Sequence, residues 1–266
     1  MNMYKPTHRG LLISLLLLLS ACGGGKMTPV SDSTLGGLWT GTLTVNGVAH
    51  TAYAMSAETG ELALLENDTA SGFGAQYWGT ISASTDQLSG SVNGAVLDQA
   101  LPFSDGSFRG TGTVSGTIHQ RSSITATIAF TTSLGTAISG QLSLAYDSSY
   151  EQASSLATIS GNYTNVKTPG TDVLSISSAG DMTYTDPLTT QCMATGTVSI
   201  VNASYSVYAG ELTFSNCNNA YAYLNGVSVQ GLGNVDPGTS PKPLLFLMHG
   251  MVGGVDSPFA LAFQGT

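Results

Sequence analysis

The chain has 266 residues, of which only 9% are charged; 7 Lys and Arg stand against 16 Asp and Glu, a formal net charge of −9. So acidic a chain is repelled by nucleic acid and by anionic head groups, which excludes both as partners held by charge. With Lys, Arg and Glu scarce, a helical bundle would lack its solvated face, whereas Ser, Thr, Asn and Gly suit strands and turns.

The chain opens on Lys5 and Arg9, then an apolar run over residues 11–19 broken by Ser14. That run fits a signal-peptide core of about 7–15 residues and is short of the about 20 needed to span a bilayer. Leu19-Ser20-Ala21-Cys22 closes it and resembles the lipobox of bacterial lipoproteins. The resemblance implies cleavage before Cys22, a diacylglycerol on its sulfur and an acyl group on its new amino terminus, palmitate being the usual one. Residues 1–21 are then a cleaved signal peptide and 22–34 a flexible tether, rich in small and polar residues. Lys5 and Arg9 leave with the signal peptide, so 5 basic residues face 16 acidic ones in the remainder, a net charge near −11. Charge would not hold such a body to a membrane, and Cys22 becomes its sole attachment. In Gram-negative lipoproteins Asp after the cysteine favours the inner membrane; Gly23 here implies an outer-membrane lipid anchor, with the exposed face left open.

From residue 35 nearly every segment reads as a strand. Residues 39–45 alternate large and small side chains, Asn46-Gly47 supplies a hairpin turn, and 48–56 return. Further strands are predicted over 61–66, 76–84, 88–97, 110–119, 124–130 and 137–146. Residues 147–153 read as one or two helical turns of a connector. Strands resume over 159–166, 173–177, 181–185, 196–202, 205–214, 221–229, 244–249 and 259–263. The fold class is all-β and antiparallel, as two consecutive barrel- or sandwich-like halves of roughly eight strands. The first β domain is placed at 35–146, the connector at 147–158 and the second β domain at 159–266.

Of the three cysteines Cys22 is taken by the lipobox. Cys192 and Cys217, in an exported chain, read by default as a disulfide. A zinc site is disfavoured, because no histidine or second cysteine pair joins them at metal spacing.

Residues 243–254, with His249-Gly250 and Gly253-Gly254, look like the strand and oxyanion turn of an α/β-hydrolase. They come too late in the chain, and no Gly-x-Ser-x-Gly elbow exists, so a penultimate hairpin strand is expected. His50, His119 and His249 lack metal spacing and read as rim or surface residues. Glu58, Glu61, Glu66 and Asp68 lack the alternation of a calcium loop and read as a solvated hairpin edge. Tyr205, Tyr208, Tyr221 and Tyr223 could form a binding surface, with core packing the favoured alternative.

Tyr146-Asp147-Ser148-Ser149-Tyr150 and the run Ser155-Leu156-Ala157-Thr158-Ile159-Ser160-Gly161-Asn162-Tyr163-Thr164 resemble the midpoint of a set of uncharacterised proteobacterial lipoproteins. Those share a Gly-x-Trp-x-Gly opening, like Gly37 to Gly41, and two cysteines flanking a hairpin in the second half. The resemblance implies a two-part β fold and no activity. No nucleophile–base pair, metal set or cofactor motif emerges. The expectation is a non-enzymatic envelope protein without cofactor or metal, binding a protein, glycan or small apolar ligand, or serving structurally. The alternative is an inhibitor or immunity lipoprotein neutralising an envelope-acting toxin or hydrolase.

Overall fold

The computed structural model describes residues 35–68, 72–97, 102–167 and 170–266; the segments expected to be a signal peptide and tether, with Cys22, lie outside them. Sixteen strands form two consecutive closed antiparallel barrels of eight. The first comprises β1 (Gly37–Val45), β2 (Val48–Ser56), β3 (Glu61–Asp68), β4 (Gly72–Ser84), β5 (Gln87–Val96), β6 (Arg109–His119), β7 (Ser123–Thr132) and β8 (Ala137–Asp147). A 3-10 turn over Ser148–Glu151 and the short helix α1 (Leu156–Ile159) link it to the second. That barrel is β9 (Gly161–Lys167), β10 (Gly170–Ile176), β11 (Asp181–Thr185), β12 (Met193–Ile200), β13 (Val207–Ser215), β14 (Ser228–Val235), β15 (Pro243–Val252) and β16 (Val255–Gly265). Each barrel shuts by pairing its last strand with its first: β8 runs along β1 from Asp147↔Leu38 to Gly140↔Val45, while β16 meets β9 only at Gln264↔Thr164 and Gly265↔Tyr163. Among the described residues no helix is long and apolar enough to cross a membrane.

Alternation explains the walls. Along β7, Ile124, Ala126, Ile128 and Phe130 are buried inside the barrel, and the residues between them are largely exposed. Asn46 and Gly47 both adopt positive φ (51° and 79°), the hairpin turn expected of that pair. Gly37-Leu38-Trp39-Thr40 and Gly161-Asn162-Tyr163-Thr164 begin β1 and β9, and each aromatic plugs the start of its barrel. Trp39 donates to Ser56 Oγ at 2.9 Å, and Tyr163 donates to the Ile159 carbonyl at 2.6 Å.

Two strands break the alternation for a common reason. Leu62-Ala63-Leu64-Leu65 on β3 and Leu244 to Met248 on β15 are apolar without interruption. Leu62 and Leu64 fill the first barrel, and Leu244, Phe246 and Met248 the second. The alternate residues Ala63, Leu65 and Leu247 point outward into one shared cluster with Leu38, Met55, Val207 and Leu232. Strands covered on both faces carry apolar residues on both faces. The run that looked like a hydrolase element is therefore one half of the joint between the barrels, on the penultimate strand.

One strand lies elsewhere than predicted. Residues 221–227 do not begin a strand: Asn218 Oδ1 accepts from the Ala220 and Tyr221 amides and starts a 3-10 turn over Asn219–Leu224, and β14 begins only at Ser228. The aromatic content of 221–223 mimics a strand, but side-chain capping of the backbone wins locally.

Candidate functional site

The two ends of the first barrel differ. At the end where β1 begins, Trp39, Ser56 and Leu35 close the bore; the Ser56 hydroxyl donates to the Leu35 carbonyl at 2.5 Å. Beside them buried Glu58 accepts from the Tyr150 hydroxyl, and Tyr150 stacks on Tyr205 of the second barrel, with ring centroids 4.6 Å apart. Arg121 donates to the Tyr205 hydroxyl (2.7 Å) and pairs with Glu151 (2.8 Å), so this end is joined to its neighbour by hydrogen bonds as well as apolar contact.

At the opposite end the first barrel is open and holds a cup of about 270 Å³. Its wall is apolar: Leu43 and Val45 from β1, Ile128 and Phe130 from β7, Ile138 from β8, and Phe103 from the connection after β5. Gly140 leaves space there, for a Cβ at that position would come within 2.8 Å of Leu43 Cδ1. Phe130 meets Tyr77 edge-on (5.9 Å) and Phe103 at a tilt (5.4 Å). Phe103 is held over the mouth by Asp105, which accepts from the Ser107 amide (2.9 Å) and from the Thr132 hydroxyl. Those bonds from Ser107 and Thr132 pull the Asp105 carboxyl well below the usual carboxylate range. Three of the large apolar side chains exposed on the molecule, Val48, Phe108 and Leu134, flank the turns at this same end.

One corner of the cup is polar. Tyr77 Oη donates to Glu66 Oε2 at 3.0 Å, and His50 Nδ1 stands 3.6 Å from Glu66 Oε1. Burial first, then the Glu66 charge, pushes the Tyr77 hydroxyl far above its ordinary pKa, so it remains a donor. Glu66 comes from β3, Tyr77 from β4 and His50 from β2, and three neighbouring strands meet only in the folded wall. The acidic run expected to form a solvated edge is thus divided. Glu61 is exposed, but Glu58 is buried in the joint and the Glu66 side chain keeps only 12% of its exposure. Their partners, Tyr150 and Tyr77, arrive from other strands or connections, which is why a local reading missed them.

His119 is on the surface, 3.8 Å from Asp86. His249 lies at the joint, its ring stacked on Trp78 (5.4 Å, 20°); Asp256 accepts from Trp78 Nε1 at 2.7 Å and meets His249 Nδ1 at 2.9 Å. This clasp fastens β15 and β16 to β4. Wider clefts of about 610 and 680 Å³ run along the joint, but their walls are outward strand faces with much Thr, Ser, Asn and Gln. The cup better fits a small-molecule site: mostly apolar, with few convergent polar groups.

The four tyrosines near the second cysteine do not share a face. Tyr205 is buried at the joint and Tyr208 inside the barrel, where its hydroxyl meets the Ser155 backbone; Tyr221 is half-buried and Tyr223 exposed at the far end, beside the disulfide. Cys192 and Cys217 are bonded to each other, tying the β11–β12 turn to the β13–β14 connection. Buried Asp186 gathers the first of these by accepting from the Thr189 and Thr190 amides, and Asn218 bridges to it through the Thr189 carbonyl. Among the described residues no group of three or more His, Cys, Asp or Glu is placed to hold a metal ion.

No protein-family model matches the chain, and no curated protein matches it. Among solved structures, "a putative outer membrane protein" from Bacteroides fragilis NCTC 9343 aligns over 87% of this chain and 97% of its own, with 11% identity and a TM-score of 0.30. At that score the likeness carries no argument about function.

Proposed function

We propose that the chain is a lipid-anchored, non-enzymatic binding protein of the Gram-negative envelope, attached to the outer membrane through Cys22, whose first barrel takes a small, largely apolar ligand in its open end. The cup carries this reading: an apolar recess with a polar corner at the one accessible end of a packed bore. The Leu-Ser-Ala-Cys sequence supports the anchor, and Gly23 the outer membrane.

Two outcomes are expected. Cells fed labelled palmitate incorporate it into the wild-type chain and not into Cys22→Ser; label persisting in the variant would refute the anchor. For the cup, about 270 Å³ corresponds to about nine water volumes of about 30 Å³, hence a ligand of about nine non-hydrogen atoms. Calorimetry of the Cys22→Ser full chain, prepared without detergent, should detect binding of octan-1-ol, driven by about 6 kcal/mol of methylene burial. Val45→Trp, placing an indole in the mouth, should weaken it at least about tenfold. Equal affinity of both chains would show that the alcohol binds elsewhere.

A further inference from the structure

Resting on the reading of the cup as a binding site, we infer that its ligand is an amphipathic amine: an apolar body of about eight carbons bearing a protonated amino group that meets Glu66. Three observations carry this. First, the polar corner is built around a carboxylate set into an apolar wall, with Glu66 flanked by Tyr77 and His50 and its side chain 12% exposed. A charge in such a recess acts on a ligand through little intervening water, and its attraction for a cation is correspondingly strong.

Second, the Tyr77 hydroxyl is aimed at Glu66 and stays protonated, so its hydrogen is directed to the carboxylate rather than to an incoming anion. Of the described residues lining the cup, Glu66 is the only carboxylate and His50 the only side chain that can carry positive charge. His50 Nδ1 is turned to Glu66 and sits toward the rim, where its side chain is 23% exposed. A ligand carboxylate reaching the corner would therefore meet Glu66 at close range, a like-charge contact in low dielectric.

Third, the long-range field has the same sign. The chain from residue 22 onward carries 16 acidic against 5 basic residues, which enriches cations and depletes anions near any opening on its surface. Shape, local charge and overall charge thus select the same chemistry: apolar tail, cationic head.

The test uses the detergent-free Cys22→Ser full chain and three ligands of one chain length, octylamine, octan-1-ol and octanoate, titrated by calorimetry. The expected order is octylamine tightest, the alcohol next and octanoate weakest, with at least about a tenfold gap between amine and acid. Glu66→Gln, near in shape and without charge, should erase the amine's advantage while keeping the alcohol's affinity; Tyr77→Phe, which leaves the charge in place, should retain the preference. Equal binding of all three ligands, or tighter binding of octanoate, overturns the amine assignment and leaves the cup as a binding site. Failure of all three to bind, octan-1-ol included, overturns the cup reading itself. An amine preference that survives Glu66→Gln in a chain of unchanged melting temperature also overturns the assignment, because the selectivity would then come from elsewhere.

Discussion

Raising the pH through about 10 to 12 should unfold the protein cooperatively, with tyrosinate absorbance appearing in the same step as the loss of β-sheet circular dichroism. Tyr77, Tyr150, Tyr163, Tyr184 and Tyr208 are all no more than 7% exposed. Each has its hydroxyl pushed above the ordinary value of 10.0, in every case chiefly by burial. Carboxylates add to this at three of them: Glu66 beside Tyr77, Glu58 beside Tyr150 and Asp172 beside Tyr184. Tyr163 rises to about 12, with Tyr208 contributing after burial. The sign follows from proton counting. Below about pH 10 both folded and unfolded chains keep these protons, and stability does not depend on them. Above it the unfolded chain releases protons that the folded chain holds, so stability falls with rising pH. Each group that keeps its proton in the folded chain while the unfolded chain loses it costs about 1.4 kcal/mol per pH unit, so a few together become comparable with the whole stability of an ordinary domain. Tyrosines ionising one after another near pH 10 in an intact fold would contradict this.

Gly196→Ala should destabilise the second barrel by about 3 kcal/mol or more, read as a lower denaturation midpoint at unchanged slope. Where a Cβ fits, replacing Gly by Ala gains about 0.4–1 kcal/mol by restricting the unfolded chain. Here it does not fit: a Cβ on Gly196 would lie 1.8 Å from the Glu211 carbonyl oxygen on β13. Gly196 faces Leu212 in that pairing, so the carbonyl moves away only by spoiling the β12–β13 ladder. The first barrel has the same device, since a Cβ on Gly41 would lie 2.1 Å from the Ser143 carbonyl oxygen. Thr195→Ala, one residue away and outward-facing, should change stability by less than about 0.5 kcal/mol. Similar effects of Gly196→Ala and Thr195→Ala would mean that the strands part more easily than their pairing indicates.

The strands were legible because their signals are local. Period-two alternation, as in residues 124–130, and turn dipeptides such as Asn46-Gly47 need no tertiary information, and all sixteen strands in the structure overlap the segments read from sequence, β14 only at residues 228–229. The segment 221–229 failed because Asn218 can divert the backbone into a turn whose Tyr221 and Tyr223 look strand-like. The choice between barrel and sandwich was beyond local reading, since it rests on whether β8 finds β1 across about a hundred residues. The cup was invisible for a related reason. Its wall draws on side chains from β1, β2, β3, β4, β7 and β8 with Phe103, and nothing in the residues near Glu66 announces that Tyr77 and His50 will enclose it. The apolar runs of β3 and β15 carried a usable signal: strands apolar at every position need cover on both sides, and two of them in one chain can supply it to each other.

The way each barrel is shut also sets an order of events during synthesis. The first barrel zips β8 along most of β1, and can be complete once Asp147 has been made. The second is held shut at β9 by Gln264, Gly265 and Thr266, the Thr266 amide donating to the Asn162 carbonyl at 3.0 Å. Its inner face, with Tyr184, Phe214 and Phe246, therefore stays open to solvent or to a chaperone until those residues emerge. Cys192 and Cys217 are available for oxidation well before that moment. A nascent chain halted after β15 would present a finished first barrel beside a gaping second one, so the window for misassembly during synthesis belongs to the second half of the molecule.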